Sequence, residues 1–424
     1  MINILVGSNW GDEGKGKMTD YFAKNADIVV RFQGGNNAGH TIINKYGKFA
    51  LHLLPSGIFY ENVVNILGPG VAFNLSAFIE ELDYIKSNIN FTPKILISDR
   101  AQVLMPYHVL LDVYEEERLG KKQFGSTKSG IAPFYSEKYQ KTGIQVSDLY
   151  DDKILSEKID TSIEIKNILF ANLYKKPTID KNEFIPELIE NFKKIKPYIC
   201  NTTKFLNDSI KSGKNIILEG QLGALRDPDN GIYPFSTSSS TLAGFSTVGA
   251  GIPIKKINTI TTVVKSYSSC VGAGPFVTEL FGEEGNELRK RGGDNGEYGA
   301  KTGRPRRVGW LDLVATKYGC LLQGATEIAL TLIDVLSYLE KIPVCCEYKI
   351  DEELTKDFPV TNKLYNAKPV YKYLKGWKCD ISNIREYNDL PKEAKTYIEF
   401  IEKFIDIDIK WISNGPKREN IIMK

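Results

Sequence analysis

The feature that most constrains this chain is a glycine-rich segment that follows a short apolar run close to residue 1. Residues 2–6 are mostly apolar, and residues 7–17 read Gly-Ser-Asn-Trp-Gly-Asp-Glu-Gly-Lys-Gly-Lys. Glycine amides can approach an anion without obstruction by a Cβ atom, and the N-terminus of a helix attracts negative charge. The pattern therefore predicts a strand, a loop that binds a nucleoside triphosphate, and a helix from about Met18.

The loop departs from the usual phosphate-loop pattern in an informative way. Gly11 to Lys17 matches G-x-x-x-x-G-K, but Met18 stands where that pattern has a serine or threonine for Mg²⁺. Asp12 and Glu13 lie inside the loop, where a carboxylate repels phosphate unless it binds a metal or removes a proton. An acidic residue of this loop is therefore a candidate metal ligand or general base.

A second apolar run, residues 26–32, ends in another polar, glycine-rich loop at residues 33–41, which contains His40. Either loop alone is also typical of a surface turn, and a lone histidine is more often packed or solvated than catalytic. Two such loops at the ends of consecutive strands outline one site. Asp12 and His40 then form an acid–base pair around a metal nucleotide.

Strands alternate with helical segments along the chain, which indicates an α/β fold with a mostly parallel central sheet flanked by helices and related to the P-loop folds. Further strands are predicted at 328–333 and 407–412, the second of these as the last strand. Residues 150–212 are rich in Lys, Glu and Ile at helical spacing and predict a helical excursion. A length of 424 residues suits two or three domains or one elaborated domain.

Charge and cysteine content exclude several classes of protein. The net charge is only +3, from 55 basic and 52 acidic residues, so no overall field favours a nucleic acid or a membrane surface. The six cysteines form no C-x-x-C pair, and no run of eighteen apolar residues occurs. We expect a cytoplasmic protein with reduced thiols and no nucleic-acid or membrane partner.

Several long motifs together resemble one family, the adenylosuccinate synthetases. They are GSNWGDEGKGK at 7–17, VVRFQGGNNAGHT at 29–41, VGAGPFVTEL at 271–280, GAKTGRPRRVGWLD at 299–312 and ISNGP at 412–416. The resemblance covers essentially the whole chain. It implies one large α/β domain over residues 1–424 and a homodimer that uses GTP, IMP, L-aspartate and Mg²⁺.

The resemblance implies a ligase that makes adenylosuccinate through 6-phosphoryl-IMP, the first committed step from IMP to AMP. The implied catalytic residues are Asp12, His40 and Lys15, and the implied Mg²⁺ ligands are Asp12 and Gly39. The implied GTP contacts are Gly11, Asp12, Glu13, Gly14, Lys15, Gly16, Lys17, Gly39, His40, Thr41, Arg306, Leu332, Ile333, Asp334, Ser413, Asn414 and Gly415. The implied IMP contacts are Asp12, Asn37, Ala38, Gly39, His40, Thr127, Lys141, Gln221, Leu222, Thr237 and Arg304. The implied aspartate contacts are Ala300, Lys301, Thr302, Gly303, Arg304 and Arg306.

Some positions depart from the family pattern, and they cluster on substrate recognition. Lys141 stands where the family has an arginine that reaches the IMP phosphate of the neighbouring subunit, and Leu332 stands where it has a basic residue beside the guanine. The family's Ala-Gln after the strand that ends at Glu219 is Gln221-Leu222 here. The other departures are Lys128, Ser129 and Gln145.

Three other functions remain open on these residues. One is a related ligase that acts on a different purine monophosphate, such as dGMP, to give 2-aminoadenylosuccinate. Another is a GTP-binding regulator without turnover. The presence of the implied catalytic residues Asp12, His40 and Lys15 argues against it. The third is a nucleic-acid-binding protein, which would need a basic face that the near-neutral charge does not supply.

Overall fold

Strands and helices alternate along most of the chain. In the computed structural model, which describes residues 1–293, 296–299 and 303–424, the strands are β1 Ile2–Gly7, β2 Ile28–Arg31, β3 His40–Asn44, β4 Gly47–Leu51, β5 Val64–Leu67, β6 Ala72–Phe73, β7 Lys94–Ser98, β8 Gln102–Val103, β9 Ile199–Cys200, β10 Ile216–Glu219, β11 Ile257–Lys265, β12 Ser268–Cys270, β13 Arg307–Gly309, β14 Leu311–Asp312, β15 Glu327–Thr331, β16 Lys341–Ile350, β17 Glu353–Thr355, β18 Lys368–Lys375, β19 Ile409–Ser413 and β20 Ile421–Met423. The helices are α1 Lys15–Ala23, α2 Leu75–Asn88, α3 Pro106–Leu119, α4 Ile131–Gln140, α5 Asp152–Ile168, α6 Ile185–Ile195, α7 Thr202–Lys211, α8 Ala243–Ala250, α9 Gly282–Arg291, α10 Leu313–Gln323, α11 Thr361–Leu364 and α12 Lys392–Ile405.

A ten-stranded sheet forms the centre, in the order β20-β19-β15-β11-β1-β10-β2-β5-β7-β9. Every pair in it is parallel except β19 with β20. Strands such as β1, β2 and β10 are buried along almost their whole length because helices cover both faces of the sheet. The predicted fold class, a mostly parallel sheet flanked by helices, is confirmed.

The apolar side chains of the central strands and helices supply the core. One cluster joins Phe73 and Phe78 to Ile159 and Ile163, which ties the helical excursion of residues 150–212 to the sheet side that carries β5 and β7. The excursion contains the helices α5, α6 and α7, with a π-helical turn at Leu169–Tyr174, but it also contains the short strand β9 of the central sheet, which was not predicted. No helix among the described residues is both long enough and apolar enough to span a membrane.

Three local predictions differ from the structure. Helix α1 begins at Lys15, not near Met18, because Gly14 adopts a left-handed conformation (φ 94°) that directs the chain into the helix at once. His40 begins strand β3 of a two-stranded hairpin, so it does not belong to the preceding loop. Strand β19 is not the last, since residues 414–420 turn back and β20 pairs antiparallel with it.

The strand predicted just before Asp334 also ends earlier in the structure than expected. The strand expected at 328–333 ends at Thr331, because Leu332 adopts a left-handed conformation with φ 62°. Asp334 therefore lies in the 3₁₀ turn Ile333–Tyr338 beyond the strand. The left-handed residue swings the chain away from the sheet at the strand's carboxyl end.

Candidate active site

A cavity of about 550 Å³ opens at the carboxyl ends of the parallel strands. Lys265, Thr331 and Ser413 line it, and each ends a strand, β11, β15 and β19 respectively. In open parallel sheets this is the edge at which ligands bind. Of the residues implied by the resemblance, the cavity wall contains Asp12, Gly14, Lys15, Gly16, Lys17, Ala38, Gly39, His40, Thr41, Leu222, Arg306, Leu332, Ser413 and Gly415.

The loop between β1 and α1 has a backbone that favours glycine. Gly11, Asp12 and Gly14 have φ values of 100°, 60° and 94°. For Asp12, a non-glycine residue, the left-handed region costs about 1 kcal/mol. Because strain of this kind concentrates at functional positions, it marks Asp12 within the loop.

Glu13, the other acid of the loop, is buried and braces the loop from inside. Its carboxylate accepts the amides of Asn9 at 3.1 Å and Gly11 at 2.8 Å, and the ammonium of Lys15 lies 2.5 Å away. A Cβ atom on Gly7 would lie 2.4 Å from the same carboxylate, so the strand end must be glycine. Any contact of Glu13 with nucleotide would come from its backbone.

Lys17 joins α1 to the carboxyl end of β19. Its ammonium donates to the Ser413 hydroxyl at 2.7 Å and to the Gly415 and Asn420 carbonyls at 2.6 and 3.0 Å. Burial lowers the pKa of Lys17 to about 7, against the opposing effect of the Asp334 carboxylate. Lys17 thus holds together the two segments that the resemblance assigns to phosphate and guanine.

His40 is held by a buried carboxylate from another strand. Its Nδ1 lies 2.7 Å from Glu219 of β10, which also accepts the amide of Ser56 at 2.8 Å. The imidazole packs against Gly16, where an added Cβ would lie 2.6 Å from the Cβ of His40. Among the described residues, His40 Nε2 is buried without a hydrogen-bond partner.

Burial and the neighbouring charges shift the pKa of this histidine. Burial lowers the pKa of His40, as does the guanidinium of Arg31, while Glu219 opposes both effects. Because an ionised carboxylate accepts only, Nδ1 carries a proton toward Glu219. Nε2 is therefore the nitrogen available to a ligand in the cavity.

Asp12 is paired with a guanidinium from the arginine-rich segment 303–307, here called the basic loop. Arg306 Nε lies 3.0 Å from Asp12 Oδ2, and Arg306 Nη1 lies 2.9 Å from Glu297 Oε2. Burial lowers the pKa of Arg306, but the carboxylates of Asp12 and Glu297 outweigh it and raise the pKa above its usual value. Arg306 is thus a fixed cation between two carboxylates.

Glu297 is the centre of a buried charge network that the sequence did not reveal. Its carboxylate accepts from Lys265 at 2.5 Å and from the Tyr267 hydroxyl, and only 1% of the residue is exposed. Burial alone raises the pKa of Glu297, but Lys265 and Arg306 outweigh it and lower the pKa to about 2. The network fixes Arg306 from the side opposite to Asp12.

The segment that the resemblance assigns to guanine contains a buried carboxylate, Asp334, which is not part of the cavity wall. Among the described residues, Asp334 Oδ1 is buried and has no hydrogen-bond partner. Burial raises the pKa of Asp334 to about 6, against the opposing charge of Lys17.

Leu332 lines the cavity, whereas Ile333 points into the core. Asn414 is buried and donates to the carbonyls of Ile381 and Ile384.

Residues implied in IMP binding form a second group beside the His40 hairpin. Gln221 Nε2 donates to Asn37 Oδ1 at 2.8 Å, and its Oε1 accepts from Arg31. Leu222 has a left-handed backbone (φ 61°) and lines the cavity, where its Cα would lie 3.2 Å from a Cβ on Gly11. Gln221, and not Leu222, therefore supplies the side-chain amide here.

Thr127 and Thr237 lie in two loops that contact each other outside the cavity wall. The ring of Phe124 lies 6.0 Å from that of Phe235, and the Thr237 amide donates to the Arg226 carbonyl. Arg304 reaches the first of these loops, since a Cβ on Gly125 would lie 3.8 Å from its Nη1. These loops adjoin the basic loop.

Lys141 is not brought to the cavity of its own chain. It is exposed at the carboxyl end of α4, whereas Ile131 at the other end of that helix contacts Gly35, which precedes the His40 hairpin. A helix of ten residues separates these ends by about 15 Å.

Of the other residues implied in aspartate binding, Gly303 is exposed. Ala300, Lys301 and Thr302 lie outside the described residues.

Several residues of the cavity wall are not among the site residues predicted from the sequence. Lys265 ends β11, and a position at the end of a parallel strand is a signal for a ligand site. Thr331, which donates to the Glu13 carbonyl at 2.6 Å, ends β15, although the predicted strand continued to residue 333. Glu297 and Tyr298 lie in a glycine-rich segment without a distinguishing pattern.

The comparisons with known proteins agree over the whole chain. The family model described as adenylosuccinate synthetase matches residues 4–422. A relative from Caldicellulosiruptor bescii named adenylosuccinate synthetase is 45% identical over 100% of this chain and 99% of its own length. One of the same name from Enterococcus faecalis is 42% identical over 98% of this chain and 96% of its own.

Solved structures give the same result at the level of the backbone. The fully ligated adenylosuccinate synthetase from Plasmodium falciparum is similar with a TM-score of 0.93 and 37% identity, covering 100% of this chain and 99% of that one. A cyanophage S-2L succinoaminodeoxyadenylate synthetase bound to dGMP and dATP is similar with a TM-score of 0.60 and 16% identity, covering 100% and 95%. The second likeness concerns the fold alone. The match over residues 4–422, together with the identities above 40%, shows that this chain belongs to the adenylosuccinate synthetase family.

Proposed function

We propose that the chain catalyses the GTP-dependent ligation of IMP and L-aspartate to adenylosuccinate, with release of GDP and phosphate. This is the first committed step from IMP to AMP. The names of the full-length relatives support the reaction. The observation that carries the residue assignment is the cavity wall shared by Asp12 and His40, a carboxylate and an imidazole supplied by different strand ends.

In the first step Asp12 accepts the proton of purine N1, and O6 forms a bond to the γ-phosphorus of GTP. The bond between that phosphorus and its bridging oxygen breaks, and its electron pair leaves with GDP. Arg306 holds the Asp12 carboxylate in place, with its Nε 3.0 Å from Oδ2. Lys15 holds the transferring phosphoryl group.

His40 donates to the β-phosphate, where charge develops. Its Nδ1 proton is already directed at Glu219, so donation from Nε2 requires the imidazolium form. The negative charge of the triphosphate favours that form, as does Glu219, against the effects of burial and of the Arg31 and Lys15 cations. Glu219 thus keeps the ring oriented while Nε2 donates its proton.

In the second step the amine of L-aspartate attacks C6 of 6-phosphoryl-IMP, and phosphate leaves with the C–O electron pair and takes up the proton that the amine loses. Planar guanidinium groups bind carboxylates in a bidentate manner, which suits Arg304 and Arg306 to the dicarboxylate substrate. The other proposed contacts of aspartate are Gly303 and the undescribed Ala300, Lys301 and Thr302. Asp334 is proposed to accept the two N–H groups of guanine.

The residues suit Mg²⁺ as the metal of this site. Among the described residues, no cluster of three or more His, Cys, Asp or Glu side chains could hold a metal ion. A magnesium ion carried by nucleotide phosphates needs only one or two protein oxygens, and Asp12 and the Gly39 carbonyl both lie in the cavity wall. When bound, Mg²⁺ would neutralise charge on the phosphates.

The proposed IMP contacts outside the cavity wall are Asn37, Gln221, Thr127 and Thr237. We also propose that the chain works as one domain and as a homodimer, with Lys141 of each subunit reaching the monophosphate of the other site. The exposed position of Lys141, remote from its own cavity, supports this assignment. The six free thiols suit the cytoplasm.

The test is to incubate purified protein with Mg²⁺, GTP and L-aspartate, with IMP or dGMP offered in turn, and to record phosphate release and product mass. Turnover with IMP is expected. Turnover with dGMP alone would favour the related ligase, and GTP binding without phosphate release would favour the regulator.

A further inference from the structure

We infer that Asp112 and Glu116 of helix α3 are positioning residues that arrange the loop 123–130 for the monophosphate of the purine substrate. The inference deepens the proposed function and rests on it, because Thr127 of this loop is the proposed phosphate contact. The two acids lie one helical turn apart, so both face the loop from one side of α3. They are 7% and 5% exposed.

Glu116 holds the first half of the loop. Its carboxylate accepts the amides of Phe124 at 3.1 Å, Gly125 at 3.0 Å and Ser126 at 3.2 Å. Three consecutive amides around one carboxylate form the kind of concavity that otherwise binds a phosphate. These amides are therefore occupied by the protein's own anion.

Asp112 holds the second half. Its Oδ1 accepts the hydroxyl of Ser126 at 2.7 Å, and its Oδ2 accepts the amide of Gly130 at 2.9 Å. The Ser126 oxygen in turn accepts the amide of Lys128 at 3.0 Å. Lys128 has a left-handed backbone with φ 55°, a conformation that lysine seldom adopts without support from its surroundings.

The two acids thus occupy the loop amides on both sides of Thr127. Within the part of the chain that the structure describes, the amides of Thr127 and Ser129 and the Thr127 hydroxyl have no hydrogen-bond acceptor. The Thr127 side chain is exposed. Asp112 and Glu116 therefore determine which donors of the loop remain for a phosphate, although neither acid would itself touch it.

The loop also lies beside the other proposed substrate segments. The Phe124 carbonyl accepts the Ala273 amide at 3.1 Å, and Gly125 lies close to Arg304, as described above. A carboxylate saturated by three amides repels a neighbouring phosphate less than a free one, because its charge is balanced by the donors around it. Glu116 can therefore lie near the anion site without opposing it.

The test is Glu116→Gln, which keeps the size of the side chain but replaces one acceptor oxygen with an NH₂ group. We expect the KM for IMP to rise about tenfold, because hydrogen bonds to a charged acceptor are lost. The KM values for GTP and L-aspartate, and kcat at saturating IMP, should change less than about twofold. Glu115→Gln is the matched control, since this neighbouring acid pairs with Arg118 at the surface.

An IMP KM equal to that of the unmodified protein would overturn the inference, and so would an equal rise of all three KM values. If the unmodified protein does not turn over IMP at all, the proposed function fails instead, and the two failures are thus distinguishable. Should Glu116→Gln not fold, Ser126→Ala tests the same loop, because it removes the link from Asp112 to Lys128; it should raise the IMP KM alone.

A double-mutant cycle adds a readout that a merely structural role would not change. If Glu116 acts through Thr127, then Thr127→Ala should weaken IMP binding less in the Glu116→Gln background than in the unmodified protein. Additive effects of the two substitutions on the IMP KM would contradict the proposal.

Discussion

Arg306 Nε lies 3.0 Å from Asp12 Oδ2, so the carboxylate proposed as the general base is ion-paired with a guanidinium. The same guanidinium contacts the buried Glu297 at 2.9 Å, and Glu297 contacts Lys265 at 2.5 Å. Asp12 therefore belongs to a chain of alternating acids and bases that extends from the loop after β1 to the end of β11.

Asp12→Asn should lower kcat by about a thousandfold, because a general base contributes a factor of this order and the amide cannot accept the N1 proton. GTP binding, measured by calorimetry, should change little, since the loop backbone is retained. Asp83→Asn, at an exposed site of α2, is the control and should leave kcat unchanged. A near-normal rate in Asp12→Asn would exclude it as the base.

Glu297→Gln should destabilise the protein by about 3–5 kcal/mol, because it leaves Lys265 and Arg306 without their buried counter-charge. The measurement is the free energy of unfolding from denaturant titration. Glu287→Gln breaks a half-exposed pair with Arg291 and should cost about 1 kcal/mol or less.

The second variant Lys265→Met, made in the Glu297→Gln background, should recover part of the lost stability, because it removes the uncompensated cation from the interior. Further destabilisation by Lys265→Met would show that the network does not act through charge compensation.

Asp334→Asn should raise the KM for GTP at least tenfold, because the amide presents a donor where guanine also presents donors. The KM values for IMP and L-aspartate should stay near normal. Asp389→Asn, at an exposed turn, serves as the control. An unchanged GTP KM would mean that another group recognises the base.

The same carboxylate predicts a pH dependence. Because the pKa of Asp334 is raised to about 6, the ionised form that accepts both guanine N–H groups is lost as the pH falls through 6. The KM for GTP should therefore rise below about pH 6 in the unmodified protein, and Asp334→Asn should flatten that rise. A KM for GTP that is constant from pH 8 to pH 5 would contradict the assignment.

Lys141→Ala should lose most activity if this residue completes the site of a neighbouring subunit. Mixing it with the inactive Asp12→Asn variant should restore about a quarter of the normal activity, because random exchange leaves half of the dimers hybrid and one intact site in each. The measurement is phosphate release after subunit exchange verified by mass. No recovery after complete exchange would count against a shared site.

The sequence predicted the elements near the site well where the signal is local. The strand at 2–7, its glycine loop and helix α1 follow from residues that are neighbours in the chain, and only the start of the helix was misplaced. The strand at 328–333 was predicted too long because a left-handed leucine is not visible in an apolar run. Local patterns do not report the sign of φ for a residue other than glycine.

The tertiary structure decided which residues pair with His40 and Asp12. Glu219 lies 179 residues from His40, and the Asp12–Arg306 pair joins segments almost 300 residues apart. Nothing in the spacing of these residues links them, because their proximity arises from the order β11-β1-β10-β2 in the sheet. Glu13 shows the same limit, since its place in the loop is local but its inward direction depends on packing against Gly7 and Gly223.

By itself, the sequence predicted a glycine-rich loop with acids inside it after the first strand, a histidine in the segment after the next predicted strand, and an α/β fold that brings strand ends together. Only the tertiary structure decided which charges neutralise one another inside that site. The physical reason is that glycine and apolar patterns act over a few residues, whereas a buried charge is tolerated only when folding brings a partner to it from elsewhere in the chain.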